Sequence, residues 1–152
     1  GYGLARGLLE MTPEEIANMA MVNFVAPLAL TRELLPHLRP GSTVVNVVTA
    51  GVHILMTRLP LYGATKIGLH YASAALRREL RSRGVRLLEV LPGVVETQFH
   101  SRAGLAAPMR AVRAEEAARE IIRAVREGKE RLYIPWYIGF LRLLGPYLPA
   151  LF

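Results

Sequence analysis

The sequence predicts an α/β fold in which helices flank a parallel sheet, and two patterns along the chain indicate it. Segments with helical periodicity alternate with short apolar runs, and these runs show almost no polar alternation. Strands covered on both faces are typical of parallel sheets, whose connections are helices. We therefore expect a doubly wound sheet with right-handed crossovers. With 152 residues, 52% of them hydrophobic, the chain is long enough for one core-forming domain.

The first predicted helix begins after Thr12. Thr12 can cap the helix, Pro13 suits its first turn, and Glu15 completes a capping box three residues after the cap. The apolar periodicity continues toward Leu34, so one long helix is expected. Pro27 lies inside this span and is expected to bend it, because proline removes a backbone donor.

Strand-like runs and helical patterns alternate after this helix. The β-branched run over 43–48 predicts a strand that is buried on both faces. Glycine and proline end several of the segments, as they do in turns. In chain order, the predicted elements are a strand over 43–48, a helix over 61–83 that ends at Gly84, a strand over 85–91 that ends at Pro92, a helix over 114–127 and a strand over 132–134.

The chain divides into a domain and an apolar end. We predict one domain over residues 1–135 and an apolar C-terminal extension over residues 136–152. Glycine, arginine and proline interrupt the extension, so it is not predicted to span a membrane. It could lie on a membrane surface, cover a substrate pocket or pack against protein, and packing against protein is favoured.

The composition excludes several kinds of site. The chain has no cysteine and no aspartate, which rules out disulfides, thiolate zinc sites and kinase-type metal loops. The four histidines lack the spacing that places two rings on one metal, and there is no G-x-S-x-G elbow of a hydrolase. Much of the net charge of +7 comes from arginines crowded over 77–86, at a predicted helix end. A solvated helix end is favoured there over a nucleic-acid site.

The pair Tyr62 and Lys66 carries the most chemical information. Four residues apart on a helix, the two side chains share one face and can converge on one point. Six tyrosines and two lysines in 152 residues give about 0.08 such pairs by chance. An ammonium about 4 Å away supplies about 4 kcal/mol, enough to lower a tyrosine pKa by roughly two to three units. The pair is therefore predicted to transfer a proton.

Three further motifs lie at characteristic places around this pair. Thr49, in the run VNVVTAG, lies thirteen residues before Tyr62 and could be the second hydroxyl of an Asn-x-Ser-Ser-like strand end. The segment PGVVET runs from Pro92 to Thr97 and is similar to a Pro-Gly-x-x-x-Thr turn. Asn23 lies in the helix segment NFVAPL, upstream of a Leu-Pro pair. Together, in this order and spacing, the motifs resemble the short-chain dehydrogenase/reductase family.

The resemblance implies the C-terminal portion of a doubly wound, Rossmann-type parallel sheet with flanking helices. It also implies a role for each matched residue. Tyr62 would be the general acid, and Lys66 would lower the pKa of Tyr62 and bond the nicotinamide ribose. Thr49 would orient the substrate carbonyl, and Asn23 would hold a water of the proton relay. The implied contacts to NAD or NADP come from Tyr62, Lys66, Pro92, Gly93, Val95 and Thr97.

The function that the resemblance implies is oxidoreduction between a carbonyl and an alcohol, with hydride transfer to or from NAD or NADP. The apolar segments favour an apolar small-molecule substrate. A cytoplasmic homo-oligomer is expected, since family helices corresponding to 12–38 and 61–83 often pair between subunits. The family's glycine-rich cofactor loop has no counterpart in this sequence. The isolated chain, interpreted as a fragment, is therefore expected to bind the dinucleotide weakly and to be inactive.

Several alternatives stay open. Thr49 stands where the family usually has serine, which supports a catalytically silent family member acting as a binding or scaffold protein. A glycine-rich turn upstream would favour the enzyme instead. Thr97 could cap a helix rather than face the nicotinamide, and Asn46 is expected to be structural. His53 could touch substrate, although a structural role is favoured for each histidine.

Overall fold

The computed structural model describes residues 1–106 and 111–145, and its elements alternate as the sequence predicts. The helices in these ranges are α1 (Pro13–Ala20), α2 (Ala26–Leu34), α3 (Pro60–Arg81), α4 (Phe99–Ala103), α5 (Ala114–Arg126) and α6 (Leu141–Leu144). The strands there are β1 (Thr43–Val47), β2 (Arg86–Pro92), β3 (Val95–Glu96), β4 (Val112–Arg113) and β5 (Arg131–Ile134).

The predicted start of the first helix is confirmed, but the helix is not continuous. Thr12 Oγ1 accepts a hydrogen bond from the Glu15 amide at 3.2 Å, and the Glu15 carboxylate accepts one from the Thr12 amide at 2.9 Å. A π-helical turn, Met21–Val25, separates α1 from α2. The Ala26 amide closes this turn by donating to the Met21 carbonyl oxygen, and Pro27, which follows it, has no amide proton to donate.

A three-stranded parallel sheet forms the centre of the fold, in the order β1–β2–β5. Helix α3 packs on the face that carries Val44 and Leu87, whereas α5 packs on the face that carries Leu88 and Val90. Helices on both faces of a parallel sheet confirm the predicted fold class.

The crossovers depart from the expectation. The chain crosses the sheet in one direction from β1 through β2 to β5, yet α3 and α5 lie on opposite faces. The two connections therefore have opposite hands, and the expectation that both are right-handed is wrong for one of them. The right-handed rule is strongest for a compact strand–helix–strand unit. Here the connection from β2 to β5 also contains α4 and the small parallel pair of β3 and β4, which the sequence did not predict.

Strand β1 is also less covered than predicted. Val45 and Val47 are 36% and 48% exposed, although they lie in register with the buried Leu88 and Val90 of β2. Ala117 and Ala124 of α5 pack over the β2 pair. Among the described residues, no helix packs in the same way over Val45 and Val47, so the expectation of burial on both faces is wrong for β1.

The first part of the C-terminal extension packs against the domain. A 3-10 turn, Trp136–Phe140, leads into α6. The backbone at Gly139 lies against the Tyr133 ring, since an added Cβ would approach that ring to 3.2 Å. Residues 146–152 of the predicted extension lie outside the described residues. Within 1–106 and 111–145, no helix has the combination of length and apolar character that crossing a membrane requires.

Candidate active site

A cavity of about 1130 Å³ lies at the carboxyl ends of β1 and β2. Ligands of open α/β sheets bind at this edge, because the loops that follow the strands meet there. The structure brings all but one of the sequence-predicted site residues to the wall of this cavity. These residues are Thr49, Tyr62, Lys66, Pro92, Gly93, Val95 and Thr97.

Thr49 and Tyr62 place two hydroxyl groups together at this wall. Thr49 lies just beyond the end of β1 and is 8% exposed. Its hydroxyl donates to the carbonyl oxygen of Pro92 at 3.3 Å and accepts from the Gly51 amide at 3.2 Å. The Tyr62 hydroxyl, on the first turn of α3, lies near the Thr49 hydroxyl. A carbonyl oxygen placed here would meet two hydroxyl groups at once.

Lys66 lies one turn beyond Tyr62 on the same face of α3 and is 7% exposed. Its Nζ donates to the carbonyl oxygen of Val47 at 2.9 Å. The same Nζ lies 5.8 Å from the centre of the Tyr62 ring. Tyr62 and Lys66 therefore share one face of the helix, as the spacing predicts, with the ammonium directed toward the end of β1.

The expected pKa of Tyr62 is not what the structure shows. Burial raises the pKa of Tyr62 to about 12, and the nearby Thr49 hydroxyl opposes that rise. Burial also lowers the pKa of Lys66 to about 8. The expectation that Lys66 depresses the pKa of Tyr62 is wrong for this geometry, because desolvation of the phenol dominates and the ammonium faces the Val47 carbonyl.

Asn23 is the predicted site residue that the structure places behind the cavity wall. It lies in the π-helical turn and is 1% exposed. Its Nδ2 donates to the Tyr2 carbonyl oxygen at 2.8 Å and to Thr65 Oγ1 at 3.2 Å, while its Oδ1 accepts from the Tyr2 amide at 3.0 Å. The side chain thus links the N-terminal segment to the residue before Lys66. A water-holding role for Asn23 stays a prediction.

The turn after β2 forms another side of the cavity. The Gly93 amide donates to the Ile134 carbonyl oxygen at 2.8 Å, and a Cβ at Gly93 would lie 3.1 Å from Ile138 Cδ1. Thr97 lines the cavity, and its Oγ1 also accepts at 3.3 Å from the amide of Phe99, the first residue of α4. The N-cap residue of α4 is Gln98, so the helix-cap interpretation of Thr97 is wrong, whereas the nicotinamide-facing interpretation stays a prediction that its place in the wall supports. Asn46 donates to Ser73 Oγ at 2.9 Å, as a structural residue would.

Sequence reasoning missed several residues of the wall. The Phe99 ring packs on Tyr62 with ring centres 5.0 Å apart. Met56 lies so close to Gly51 that an added Cβ there would approach its sulfur to 2.6 Å. Ile138 and Leu141 of the extension also line the cavity, which favours the pocket-covering role among the alternatives for that segment. These contacts join distant parts of the chain, and no local pattern signals them.

His53 is not among the described residues that line the cavity, so its considered contact with substrate has no support from the wall. Its Nε2 is hydrogen-bonded to the Tyr133 hydroxyl at 3.0 Å, and its ring lies edge-on to His70 with centres 5.8 Å apart. Burial, followed by the charges of His70 and Arg131, lowers the pKa of His53. The favoured structural interpretation is therefore the one that these contacts support.

The charged side chains in the described part of the cavity wall are basic. Arg58 and Lys66 line it, and none of the described lining residues is acidic. Most of the remaining wall is aliphatic or aromatic. The cavity therefore suits an anionic group beside an apolar one.

Comparison with known proteins identifies the family of this chain. A family described as short chain dehydrogenase matches residues 1–108. The chain belongs to the short-chain dehydrogenase family. The uncharacterized oxidoreductase DltE of Bacillus subtilis (strain 168) is 31% identical over 115 residues, which cover 73% of this chain and 46% of that protein. The oxidoreductase claN of Passalora fulva is 38% identical over 105 residues, which cover 66% of this chain and 47% of that protein. The chain thus spans about half the length of these curated relatives.

Solved short-chain dehydrogenases share the fold of this family member. One from Burkholderia cenocepacia J2315, in complex with NADP, has a TM-score of 0.81 at 21% identity. The match covers 95% of this chain and 60% of the Burkholderia cenocepacia chain. One from Sphingobium yanoikuyae, in complex with NADPH, has a TM-score of 0.79 at 20% identity, with 92% and 56% covered. One from Burkholderia phymatum, in complex with NAD, has a TM-score of 0.79 at 18% identity, with 94% and 62% covered.

Proposed function

We propose that the complete protein is an oxidoreductase that interconverts a carbonyl and an alcohol by hydride transfer with NAD or NADP. The observation that carries the proposal is that Thr49 and Tyr62 place two hydroxyls at the wall of one cavity, which Lys66 also lines. A proton donor, a second hydroxyl and a nearby cation are the groups that a developing alkoxide needs.

A nicotinamide cofactor fits the donor set of this cavity. Lys66 and Thr97 offer an ammonium and a hydroxyl, and the absence of acidic groups from the described wall suits an anionic dinucleotide. Solved relatives of this fold were crystallised with NADP, NADPH or NAD. The residues that would hold the nicotinamide end are Tyr62, Lys66, Pro92, Gly93, Val95 and Thr97. Bound there, the cofactor supplies or accepts the hydride.

In the reduction, Tyr62 holds a proton on its phenolic oxygen and donates it to the substrate oxygen as negative charge develops there. A pKa of about 12 keeps Tyr62 protonated across the physiological range, as an acid requires. The Thr49 hydroxyl can turn from its acceptor, Pro92, to donate to the same substrate oxygen. The Lys66 ammonium, charged below its pKa of about 8, lies 5.8 Å from the centre of the Tyr62 ring and supplies positive charge to the site as negative charge develops on the substrate oxygen.

The substrate that we propose is an apolar carbonyl or alcohol. Next to the two hydroxyls, the wall consists of hydrocarbon and thioether side chains from the loop after Thr49, the segment after α4 and the C-terminal extension. These side chains are Ile54, Met56, Leu105, Ile138 and Leu141. A ligand that buries apolar surface against them gains about 25 cal/mol per Å².

The second candidate function is a binding or scaffold protein without turnover. The raised pKa of Tyr62 is the observation that favours it, since Tyr62 then resists becoming the phenolate that alcohol oxidation requires. Reduction needs the neutral phenol, which is why we prefer the enzyme. An assay in the reducing direction separates the two functions.

We also propose that the protein is a cytoplasmic homo-oligomer. Leu30 of α2 and Ile67 of α3 are 60% and 48% exposed, which leaves apolar surface on two helices. Sedimentation of the parent protein and of Ile67→Glu tests this, because a charge at a shared surface would shift the distribution toward monomer.

Contact of the extension with a membrane surface, where Trp136 is 75% exposed, stays a prediction that vesicle flotation tests.

The decisive experiment replaces Tyr62 with phenylalanine in the complete protein. Consumption of NADH or NADPH is followed with a series of apolar aldehydes and ketones. Tyr71→Phe is the matched control, because Tyr71 lies on the same helix and is 80% exposed. We expect Tyr62→Phe to abolish reduction while Tyr71→Phe retains it. Undiminished turnover in Tyr62→Phe would refute the catalytic assignment, and a parent that binds cofactor but never turns over would favour the scaffold.

A further inference from the structure

The face of α3 that carries Tyr62 and Lys66 continues as a line of polar side chains against the sheet. His70, Ser73 and Arg77 follow at spacings of four, three and four residues, which keep them on the same side of a helix. Among the described residues, each of the three contacts a polar group of the strands or of the turn before β5. Polar side chains are uncommon on a helix face that packs against a sheet, so their presence here requires an explanation.

Glu89, in the middle of β2, is the centre of this polar line. It is 1% exposed, and three cationic or titratable side chains surround its carboxylate. His70 Nδ1 donates to Oε1 at 2.5 Å, Arg131 Nε donates to Oε2 at 3.1 Å, and an Arg77 nitrogen lies 3.8 Å from Oε2. The prediction that the arginines at this helix end are solvated is thus wrong for Arg77, whose side chain is only 15% exposed.

The carboxylate of Glu89 is ionised in this environment. Burial alone would raise the pKa of Glu89, but the hydrogen bond from His70 and the charge of Arg131 outweigh it and leave the pKa below its ordinary value. Ionic hydrogen bonds of this kind are shorter, stronger and more directional than apolar contacts. They fix the position of a helix along a sheet, where apolar packing alone tolerates sliding.

The strand register places Glu89 beside the parts of the site that come from the sheet. Glu89 pairs in register with Asn46 of β1 and with Arg131 of β5. Asn46 precedes Thr49 by three residues, and Glu89 precedes Pro92, the hydrogen-bond acceptor of Thr49, by three. One polar layer across the sheet therefore contacts α3 near the strand ends where the cavity begins.

We propose that Glu89 and His70 are positioning residues that set the place of α3 on the sheet, and with it the place of Lys66 and Tyr62 opposite Thr49. The inference rests on the proposed function. His70 lies one helical turn beyond Lys66, about 6 Å along a rigid helix, so a shift of His70 moves Lys66 by the same amount. Misplacement of a catalytic group by about 1 Å can cost about 100-fold in rate.

The test uses Glu89→Gln, which keeps the shape and removes the charge, and His70→Phe, which keeps a ring and removes the donor. We expect each to lower kcat about 10- to 100-fold while the KM of an apolar ketone changes less than about twofold, because the apolar wall is untouched. The double variant is expected to be no worse than the poorer single variant, since both break one interaction.

Leu88→Ala is the matched control for lost stability. Leu88 is the neighbouring residue of β2, is 0% exposed and packs on the α5 face of the sheet. We expect it to lower the free energy of unfolding while the kcat of the folded protein stays at the parent value. His70 has a side chain that is 28% exposed, so His70→Phe still gives an answer if Glu89→Gln does not fold.

The outcomes separate this inference from the proposed function. Parental kcat in folded His70→Phe or Glu89→Gln, or an equal kcat loss in Leu88→Ala, would overturn the positioning role even where Tyr62→Phe is inactive. A fully active Tyr62→Phe would instead overturn the proposed function itself. A kcat loss with unchanged KM, confined to the Glu89 and His70 variants, supports the inference.

Discussion

Lys66 reaches from α3 to the last residue of β1, where its Nζ donates to the carbonyl oxygen of Val47 at 2.9 Å. A neutral carbonyl compensates only part of the hydration that the buried ammonium loses, and burial lowers the pKa of Lys66 to about 8. The protein therefore keeps a cation at the candidate site at a cost in stability, as catalytic groups commonly require.

This cost predicts a pH-dependent difference in stability between the parent and Lys66→Met. The unfolded lysine holds its proton up to the ordinary pKa of 10.5, whereas the folded one loses it near 8. Between these values the unfolded state binds more protons, so the parent gains free energy of unfolding relative to Lys66→Met as the pH rises. The full gain is about 3 kcal/mol.

Urea denaturation at pH 7 and pH 10 measures this difference. Lys129→Met, at the other lysine of the chain, is the control because that side chain is exposed. A constant difference between parent and Lys66→Met at both pH values would contradict the pKa assigned to Lys66.

The turn after α3 supplies a second prediction. Gly84 has φ +68, and an added Cβ would lie 3.1 Å from Pro40 Cβ. Gly41→Ala separates strain from crowding, because Gly41 has φ +90 and no described atom lies within 4 Å of its added Cβ. We expect a loss of about 1–2 kcal/mol for Gly41→Ala from backbone strain alone, and a larger loss for Gly84→Ala. Equal losses of unfolding free energy for the two variants in urea denaturation would show that Pro40 moves aside with no loss of stability.

Local signals in the sequence predicted the elements of the fold well. Thr12 with Glu15 marks a helix start through contacts three residues apart, and Gly84 marks the end of α3 through its own backbone conformation. Such features depend on neighbours along the chain. The β-branched run over 43–48 likewise predicted β1, because branched side chains fit a pleated surface.

The sequence could not predict features that depend on which distant segments meet. The uncovered face of Val45 and Val47 follows from where α5 crosses the sheet, and that position has no local pattern. The raised pKa of Tyr62 depends on how deeply the ring is buried, which the four-residue spacing to Lys66 does not reveal. The pair of His70 and Glu89 joins residues nineteen apart, so neither position alone indicates it.

The apolar wall contributed by the extension predicts an effect on substrate preference. Leu141 lines the cavity, whereas Leu143, on the same helix α6, is 61% exposed. We expect Leu141→Ser to raise the KM for long-chain ketones about tenfold more than the KM for acetone-sized ones, because only the larger substrate reaches the extension. Leu143→Ser is expected to behave as the parent in the same steady-state assay. An equal effect of the two variants would remove the extension from the substrate site.

Thr49 provides the sharpest test of whether the site turns over. Its hydroxyl lies beside that of Tyr62, so we expect Thr49→Ser to keep activity, and Thr49→Ala and Thr49→Val to lose about 100-fold or more in kcat, as when one oxyanion donor is deleted. Thr49→Val keeps the branched shape and removes only the hydrogen bonds. Thr43→Val is its matched control in β1, because the buried Thr43 hydroxyl has no hydrogen-bond partner among the described residues. Should the Ala and Val variants of Thr49 turn over like the parent, Thr49 only ends a strand, and Tyr62 holds the substrate oxygen without it.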